Sequence, residues 1–270
     1  MAIERQTRYS AVIDAKLDNT LALKDGVVFN NKYEGDPKAG FVKIAKTNNA
    51  TVTDYDPVNG AELTSASVEY VPVVINKDKS VNEIIDGYDA EATSAKIIVD
   101  RLERAGRGIA EVLDKDGAVE LVTNGTVLED TVAVAKDTVY DTFVDARRIM
   151  SKTGVPVDGR YALVSPDTYA VCLKSDEFIN AGALSDAVRS TGALGAIAGF
   201  AIYESNSLDE GVEIVFGHPD YATRIKEWSV EPQINKLADG KHIGASAVQG
   251  RKVYAHKVTE PKAILVKKTA

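Results

Sequence analysis

One cysteine, Cys172, rules out an intrachain disulfide and suits a reducing compartment. The three histidines, His218, His242 and His256, fall in no metal-ligand spacing, and there is no paired-cysteine zinc pattern. A GxSxG nucleophile elbow and a GxxxxGK(S/T) phosphate loop are also missing. No apolar run approaches the ~18 residues of a membrane helix, and MAIERQTRYS lacks the charged-then-apolar pattern of a signal peptide. The expectation is a chain made in the cytosol with no membrane span. Basic residues are in deficit, 32 against 40 acidic for a net charge of −8, which argues against a dedicated nucleic-acid binder. Motifs therefore nominate no catalytic residue, no cofactor site and no metal site. A hydrophobic content of 44% with 27% charged residues is still ordinary for a chain that buries a sizeable core.

The strongest periodic signal lies at Asp89 to Leu113, where Ala95, Ile98, Leu102, Ala105, Ile109 and Val112 alternate three and four apart. That spacing lines one face of an α-helix. Lys96, Asp100, Glu103, Arg104, Arg107 and Glu111 take the opposite face. A helix of this length spans roughly 36 Å and would act as a spine for the remaining parts. Gly106 and Gly108 sit inside it, each costing about 0.8–1 kcal/mol relative to Ala. They predict either a bend or the close approach of another backbone. GRGIAE resembles a piece of a dinucleotide fingerprint, but it follows no strand and lies mid-helix, so it is rejected.

Met1 to Phe29 shows loosely helical spacing at Tyr9, Val12, Ile13, Leu17, Leu21 and Leu23, and is expected to be a partly helical arm. Residues 30–80 are turn-rich and strand-rich. FVKIAKT and SVEYVPVVINK predict the two strands of a long hairpin, with Pro72 marking an edge or bulge. Apolar residues there are too few for an independent core, and a two-stranded hairpin alone is marginal in water. DYDPVNG opens like a calcium loop at Asp54 and Asp56, but the fifth and twelfth positions are Val58 and Ser65, so a turn is expected.

Downstream, Asn124-Gly125 is a turn signal. A second helix is expected from about Leu128 to Ser151, with Val132, Ala135, Val139, Phe143, Ala146 and Met150 on one face. Arg160 to Val164 predicts a buried strand, and Ser165-Pro166 caps a helix running to about Leu173 that buries Cys172 as a structural thiol. Asn180 to Gly199 predicts a loop and Phe200–Glu204 and Val212–Phe216 predict strands. Tyr221–Trp228 suits either a short helix or a strand, and further strands are expected near 229–235, 252–258 and 263–267. The class is α+β.

Two stretches carry a family resemblance. In GVPVDGRYALVSPDTYAVCLKSDEF the residues are Pro156, Gly159, Arg160, Val164, Ser165 and Pro166; in GALGAIAGFAIYESNSL they are Gly195, Ile197, Gly199, Phe200, Ser205, Asn206 and Leu208. In this order they resemble tailed-bacteriophage major capsid proteins, whose fold is shared with encapsulins. NKYEGDPKAGFVKIAKTNNATVTDYD resembles that family's entry into its extended loop, so the likeness runs from about Asn30 to Leu208 and weakens after Glu210.

The resemblance implies the phage major capsid fold. Residues 1–29 would be the N-terminal arm and 30–80 an extended β-hairpin loop completed by a neighbouring subunit. Residues 81–129 and about 246–270 would form the peripheral domain with spine helix 89–113, and 130–245 the axial domain. It implies a non-enzymatic, self-assembling virion protein that forms hexamers and pentamers of an icosahedral shell. That shell would hold double-stranded DNA with non-specific contacts, with separate scaffold, portal and decoration proteins as further partners. An encapsulin-like compartment is the alternative, and a small-ligand-binding or enzymatic α/β domain is a third reading from a different class.

Overall fold

The computed structural model describes residues 23–47, 52–58, 60, 68–85, 96–175, 195–237, 241 and 244–269. Three helices and eleven strands make up the described part: β1 (Phe41–Thr47), β2 (Val68–Val74), β3 (Lys77–Ile85), α1 (Lys96–Asn124), β4 (Thr126–Val127), α2 (Val139–Lys152), β5 (Tyr161–Val164), α3 (Pro166–Lys174), β6 (Ala196–Ile197), β7 (Phe200–Glu204), β8 (Val212–Gly217), β9 (Ala222–Lys236), β10 (Ser246–Val258) and β11 (Leu265–Lys268). They form a two-stranded sheet β1-β2, a three-stranded sheet β3-β10-β9 and a six-stranded mixed sheet β4-β11-β8-β5-β7-β6. Among the described residues no helix is long and apolar enough to cross a membrane.

The long helix is present and runs further along the chain than expected. It ends at Asn124 rather than Leu113, while the expected first part, 89–95, lies outside the described residues. The polar run Asp114-Lys115-Asp116-Gly117 follows Leu113. In the fold the apolar face continues through it, with Ile109, Leu113, Ala118 and Leu121 all buried. Its 29 residues give a length of about 43 Å. Helix α1 therefore touches both larger sheets, with Ile109, Ala110 and Leu113 packing on Trp228, Val248 and Tyr254. Ala118 and Leu121 pack on Tyr161, Leu163, Val215 and Val266. Gly125 then ends the helix where a Cβ would lie 2.6 Å from the Leu121 carbonyl and 2.9 Å from Val266 Cγ2.

The six-stranded sheet is covered on both faces, which is why β5 is buried at every position. Tyr161 and Leu163 face α1, whereas Ala162 and Val164 face α2 and α3 through Phe143, Ala146, Met150 and Cys172. Helix α2 starts at Val139, eleven residues later than the expected Leu128. The backbone from 128 to 134 is committed elsewhere. Leu128 N–H donates to the Val266 carbonyl (2.9 Å), Lys267 Nζ to the Asp130 carbonyl (2.8 Å) and Val134 N–H to the Glu213 carboxylate (3.0 Å). Val132, expected on the buried face, is exposed.

Of the two readings open for 221–228, strand holds from Ala222 onward, as part of a 15-residue β9. Strand β9 joins β3 and β10 beside α1, whereas β11 joins the six-stranded sheet. At the end of the Gly-rich stretch, 196–200 is a two-residue hairpin turn with Ala198 at φ 47° and Gly199 at φ 86°, both left-handed as a type I′ turn requires. The rest of that stretch, 180–194, lies outside the described residues.

Helix glycines divide by environment. A Cβ on Gly117 would meet the Phe29 ring at 3.1 Å and His256 Nε2 at 3.2 Å, whereas one on Gly108 meets nothing within 4 Å. Gly117→Val is expected to cost about 1–3 kcal/mol by overpacking, and Gly108→Ala to stabilise by about 0.5–1 kcal/mol. Urea unfolding of the unassembled chain checks both, and equal effects would refute the distinction.

Candidate functional site

The hairpin β1-β2 pairs from Phe41↔Val74 to Thr47↔Val68, with Pro72 opposite Lys43 on a strand that has no second neighbour among the described residues. Strand alternation gives it two unlike faces. On the inner face Val42, Ile44 and Val73 are buried against Ile225 of β9 and Ala255 of β10. The core of the hairpin base thus comes from its own chain. On the outer face Phe41, Val74, Tyr70 and Val68 remain 44%, 67%, 47% and 45% exposed. Further out, Val52, Tyr55 and Val58 are also exposed. The chain turns at 56–58, as expected, where Asp56 Oδ1 accepts from Val58 N–H at 2.8 Å and Gly60 N–H donates to the Asp56 carbonyl.

Ion pairs tie the hairpin and its approach to the body. Lys46 pairs with Glu260 (3.0 Å) and Lys32 with Asp220 (2.6 Å). Both pairs are solvent-accessible and contribute about 0–1 kcal/mol each. A concavity of about 270 Å³ lies beside them, lined by Ile44, Ala45, Tyr221 and Thr259 among others. The hairpin is thus anchored firmly at an apolar base and only weakly beyond it.

Helix α1 exposes a second apolar strip. Val112 and Val119 are 40% and 39% exposed, seven residues apart, and Gly108 lies one turn before Val112. Positions 108, 112 and 119 share one side of the helix at the i, i+4, i+11 spacing.

Between these surfaces lies a buried cation. Arg224 of β9 has no exposed side-chain surface. Its guanidinium donates to Asp114 Oδ1 of α1 (3.2 Å), Asp25 Oδ1 (3.4 Å) and the Leu23 carbonyl (2.8 Å), and Nε donates to His256 Nε2 of β10 (3.0 Å). The Phe29 ring lies 4.6 Å from its central carbon. Burial pulls the Arg224 pKa down, and Asp25 and Asp114 oppose that pull. Burial, then the Arg224 charge, holds His256 well below its ordinary value, so it accepts as a neutral ring. This junction ties the chain before the hairpin to α1, β9 and β10. Sequence reading missed it because Asp25, Asp114, Arg224 and His256 are far apart in the chain.

The motif residues of the family resemblance are structural. Arg160 donates to the Val155 carbonyl (2.6 Å), the Pro156 carbonyl (2.7 Å) and Ser151 Oγ (3.2 Å), closing the exit from α2. Ser165 Oγ accepts from Thr168 N–H at 3.3 Å as the α3 cap, with Pro166 following. Gly159 has φ 82° and would bring a Cβ within 3.4 Å of His218 Nε2. Cys172 is buried, its thiol pushed up to about 12 by burial. His218 bonds the Asp158 carbonyl at 2.8 Å, and His242 lies outside the described residues. Among the described residues there is no group of three or more His, Cys, Asp or Glu placed to hold a metal ion.

A family model described as phage capsid protein matches residues 83–266. The match reaches further toward the C-terminus than the sequence resemblance and leaves out the hairpin. A solved structure of Mycobacterium phage Che8 is similar at 25% identity, covering 88% of each chain with a TM-score of 0.70. The capsid of cyanophage P-SCSP1u is 14% identical over 93% of this chain and 87% of that one, TM-score 0.64. A virus-like particle from Pyrococcus furiosus is 9% identical over 97% and 98%, TM-score 0.59. These last two show likeness of fold. No curated protein sequence matches the chain.

The junction sets a pH dependence. The folded pKa of His256 is depressed, so below pH 6.5 the unfolded chain takes up a proton that the folded chain refuses. Stability is complete above about 6.5 and falls toward acid, with a slope of up to about 1.4 kcal/mol per pH unit from this residue. Urea midpoints at pH 7 and 5 on the unassembled chain should fall less in His256→Gln, and an unchanged slope would refute the assignment. Arg224→Leu removes the cation facing the buried Asp114 and should cost about 3–5 kcal/mol, read from urea midpoints of the unassembled chain.

Proposed function

Because the chain belongs to the phage capsid protein family and its role is that of a shell protein of the virion rather than an enzyme, we propose that it builds an icosahedral head from hexamers and pentamers around double-stranded DNA. The observation that carries this reading is the hairpin, whose base is buried in its own chain and whose outer face is apolar and uncovered. Single exposed apolar side chains are ordinary, but a paired row on one sheet face marks an interaction surface.

The natural acceptor is the outer strip of α1 on a neighbouring copy. Gly108 permits close backbone approach there, and Val112 and Val119 offer apolar surface to Phe41, Tyr70 and Val74. Such a contact is heterologous, one patch meeting a different patch, and it closes rings when the rotation between copies allows. Ring closure with five or six copies requires the angle between hairpin and body to vary. The apolar base with weak ion pairs beyond it supplies a pivot of that kind. In this reading the N-terminal arm 1–29, the hairpin loop 30–80, a peripheral unit around α1 and an axial unit around the six-stranded sheet divide the labour. Assembly occurs in the host cytoplasm, with scaffold, portal and decoration proteins as separate partners. The acidic balance of the chain suits a wall that does not grip DNA tightly.

Tyr70→Asp and Val112→Asp change exposed positions, so monomer stability should move by no more than about 0.5 kcal/mol. Each should raise the concentration needed for assembly on the order of tenfold, ~1.4 kcal/mol per contact. Electron microscopy and velocity sedimentation of the purified chains check this. Shells forming normally in both variants would refute the docking, and closed particles that never enclose DNA would favour an enzyme compartment over a genome container.

A further inference from the structure

Among the described residues the six-stranded sheet is open at β4, which pairs with β11 alone. Thr126 and Leu128 donate their N–H groups to the Ile264 and Val266 carbonyls at 2.8 and 2.9 Å. Alternation along the strand turns the N–H and C=O of Val127, between them, away from β11 and toward the open edge. The Val127 side chain is exposed as well. An edge of this kind accepts an extended segment through main-chain hydrogen bonds, while pockets beside it choose among side chains. The strand is short, so most of the selectivity must come from those side chains.

A hollow of about 640 Å³ lies on the α2 side of the edge. Leu128, Ile149 and Leu265 give it apolar walls, and Thr138 and Thr142 add hydroxyls. Its carboxylates outnumber its cations, and both cations are engaged. Lys267 pairs with Asp130 at 2.7 Å and Arg148 with Asp145 at 3.1 Å. Glu129 and Asp141 line the same space and join no ion pair among the described residues.

We infer that the β4 edge is a docking site for an extended basic segment of a separate protein, added as a strand with its cations in the hollow. The register sets the pattern such a segment must carry. Thr126 pairs with Leu265 and Val127 with Val266, so Thr126 and Leu128 share the α2 side with Leu265 and Lys267. Val127 faces the other way. A strand added about 4.8 Å beyond β4 turns every second side chain toward the hollow and the intervening ones to the side of Val127. Arg or Lys at the first set meets the charges of Glu129 and Asp141, with apolar walls for its methylene stem. Apolar β-branched residues at the second set pair with Val127 across the strands. The described strands of this chain all belong to its own sheets, which favours a separate extended segment over a second copy.

The probe is a short acetylated and amidated peptide alternating valine and arginine, added to the unassembled full-length chain. Hydrogen–deuterium exchange at the Val127 amide should slow at least tenfold at saturating peptide, and a valine–glutamate peptide should leave it unchanged. Val127→Pro removes the outward donor and spares both N–H bonds to β11. It should weaken binding at least tenfold with an unchanged circular dichroism spectrum. Glu129→Lys combined with Asp141→Lys should reverse the preference in favour of the glutamate peptide, which a loss of folding would not do. Binding indifferent to Val127→Pro or to the charge reversal is general attraction of a cation to an acidic chain, and it overturns the proposal. So does an arginine peptide that fails to bind or leaves Val127 exchange unchanged. Slow exchange at Val127 in the chain alone overturns it too, since the edge would already be covered.

Discussion

The architecture depends on one buried cation. Arg224 of β9 lies in full burial where α1, β10 and the chain leading into the hairpin meet, and it bonds to each of these three. Desolvating a guanidinium is costly, and the cost is offset only if every donor finds an acceptor. Here Asp114, Asp25, the Leu23 carbonyl and His256 supply them, while Phe29 covers the guanidinium face. Removing any one leaves a buried polar group uncompensated, so the four segments are held in one relation. Gly117 belongs to the same arrangement, because only a residue without a Cβ lets Phe29 and His256 approach α1 so closely.

That fixed relation explains how rigidity and adjustability coexist. Helix α1 bridges the three-stranded and six-stranded sheets along its length, so the two cannot shift independently without breaking its packing. The hairpin instead grips the body through three apolar side chains on its inner face and through exposed ion pairs whose geometry tolerates rearrangement. A shell subunit needs this division, since its body must be the same in every position while its contacts vary. The exposed outer face of the hairpin and the strip on α1 are stable in water only because each is small.

Much of this was legible in the sequence. The hairpin strands were visible because residues flanked by turn signals alternated with period two, and Pro72 marked the strand that has no second neighbour among the described residues. The α3 cap at Ser165-Pro166 and the buried β5 were visible because capping and apolar runs are local signals. The second helix was placed too early because a backbone at 128–134 with helical periodicity was claimed by β11, Lys267 and Glu213, none of them near in sequence. The end of α1 was placed too early for the opposite reason. Asp114 is a polar residue on the helix whose partner Arg224 is 110 residues away.

By itself the sequence determined what short-range physics sets: the helix and strand periods, the turns, the caps, the lack of catalytic and metal motifs, and the resemblance carried by Gly159, Arg160, Ser165, Pro166, Gly199 and Phe200. Those residues act on neighbours within a few positions, as the Arg160 bonds to the Val155 and Pro156 carbonyls show. Only the tertiary structure decided which strands share a sheet, that β9 pairs with β10 while β11 joins the six-stranded sheet, and that Arg224 is buried. Strand pairing and ion burial are settled by partners distant in the chain, and their free energy depends on desolvation and geometry that no local pattern encodes.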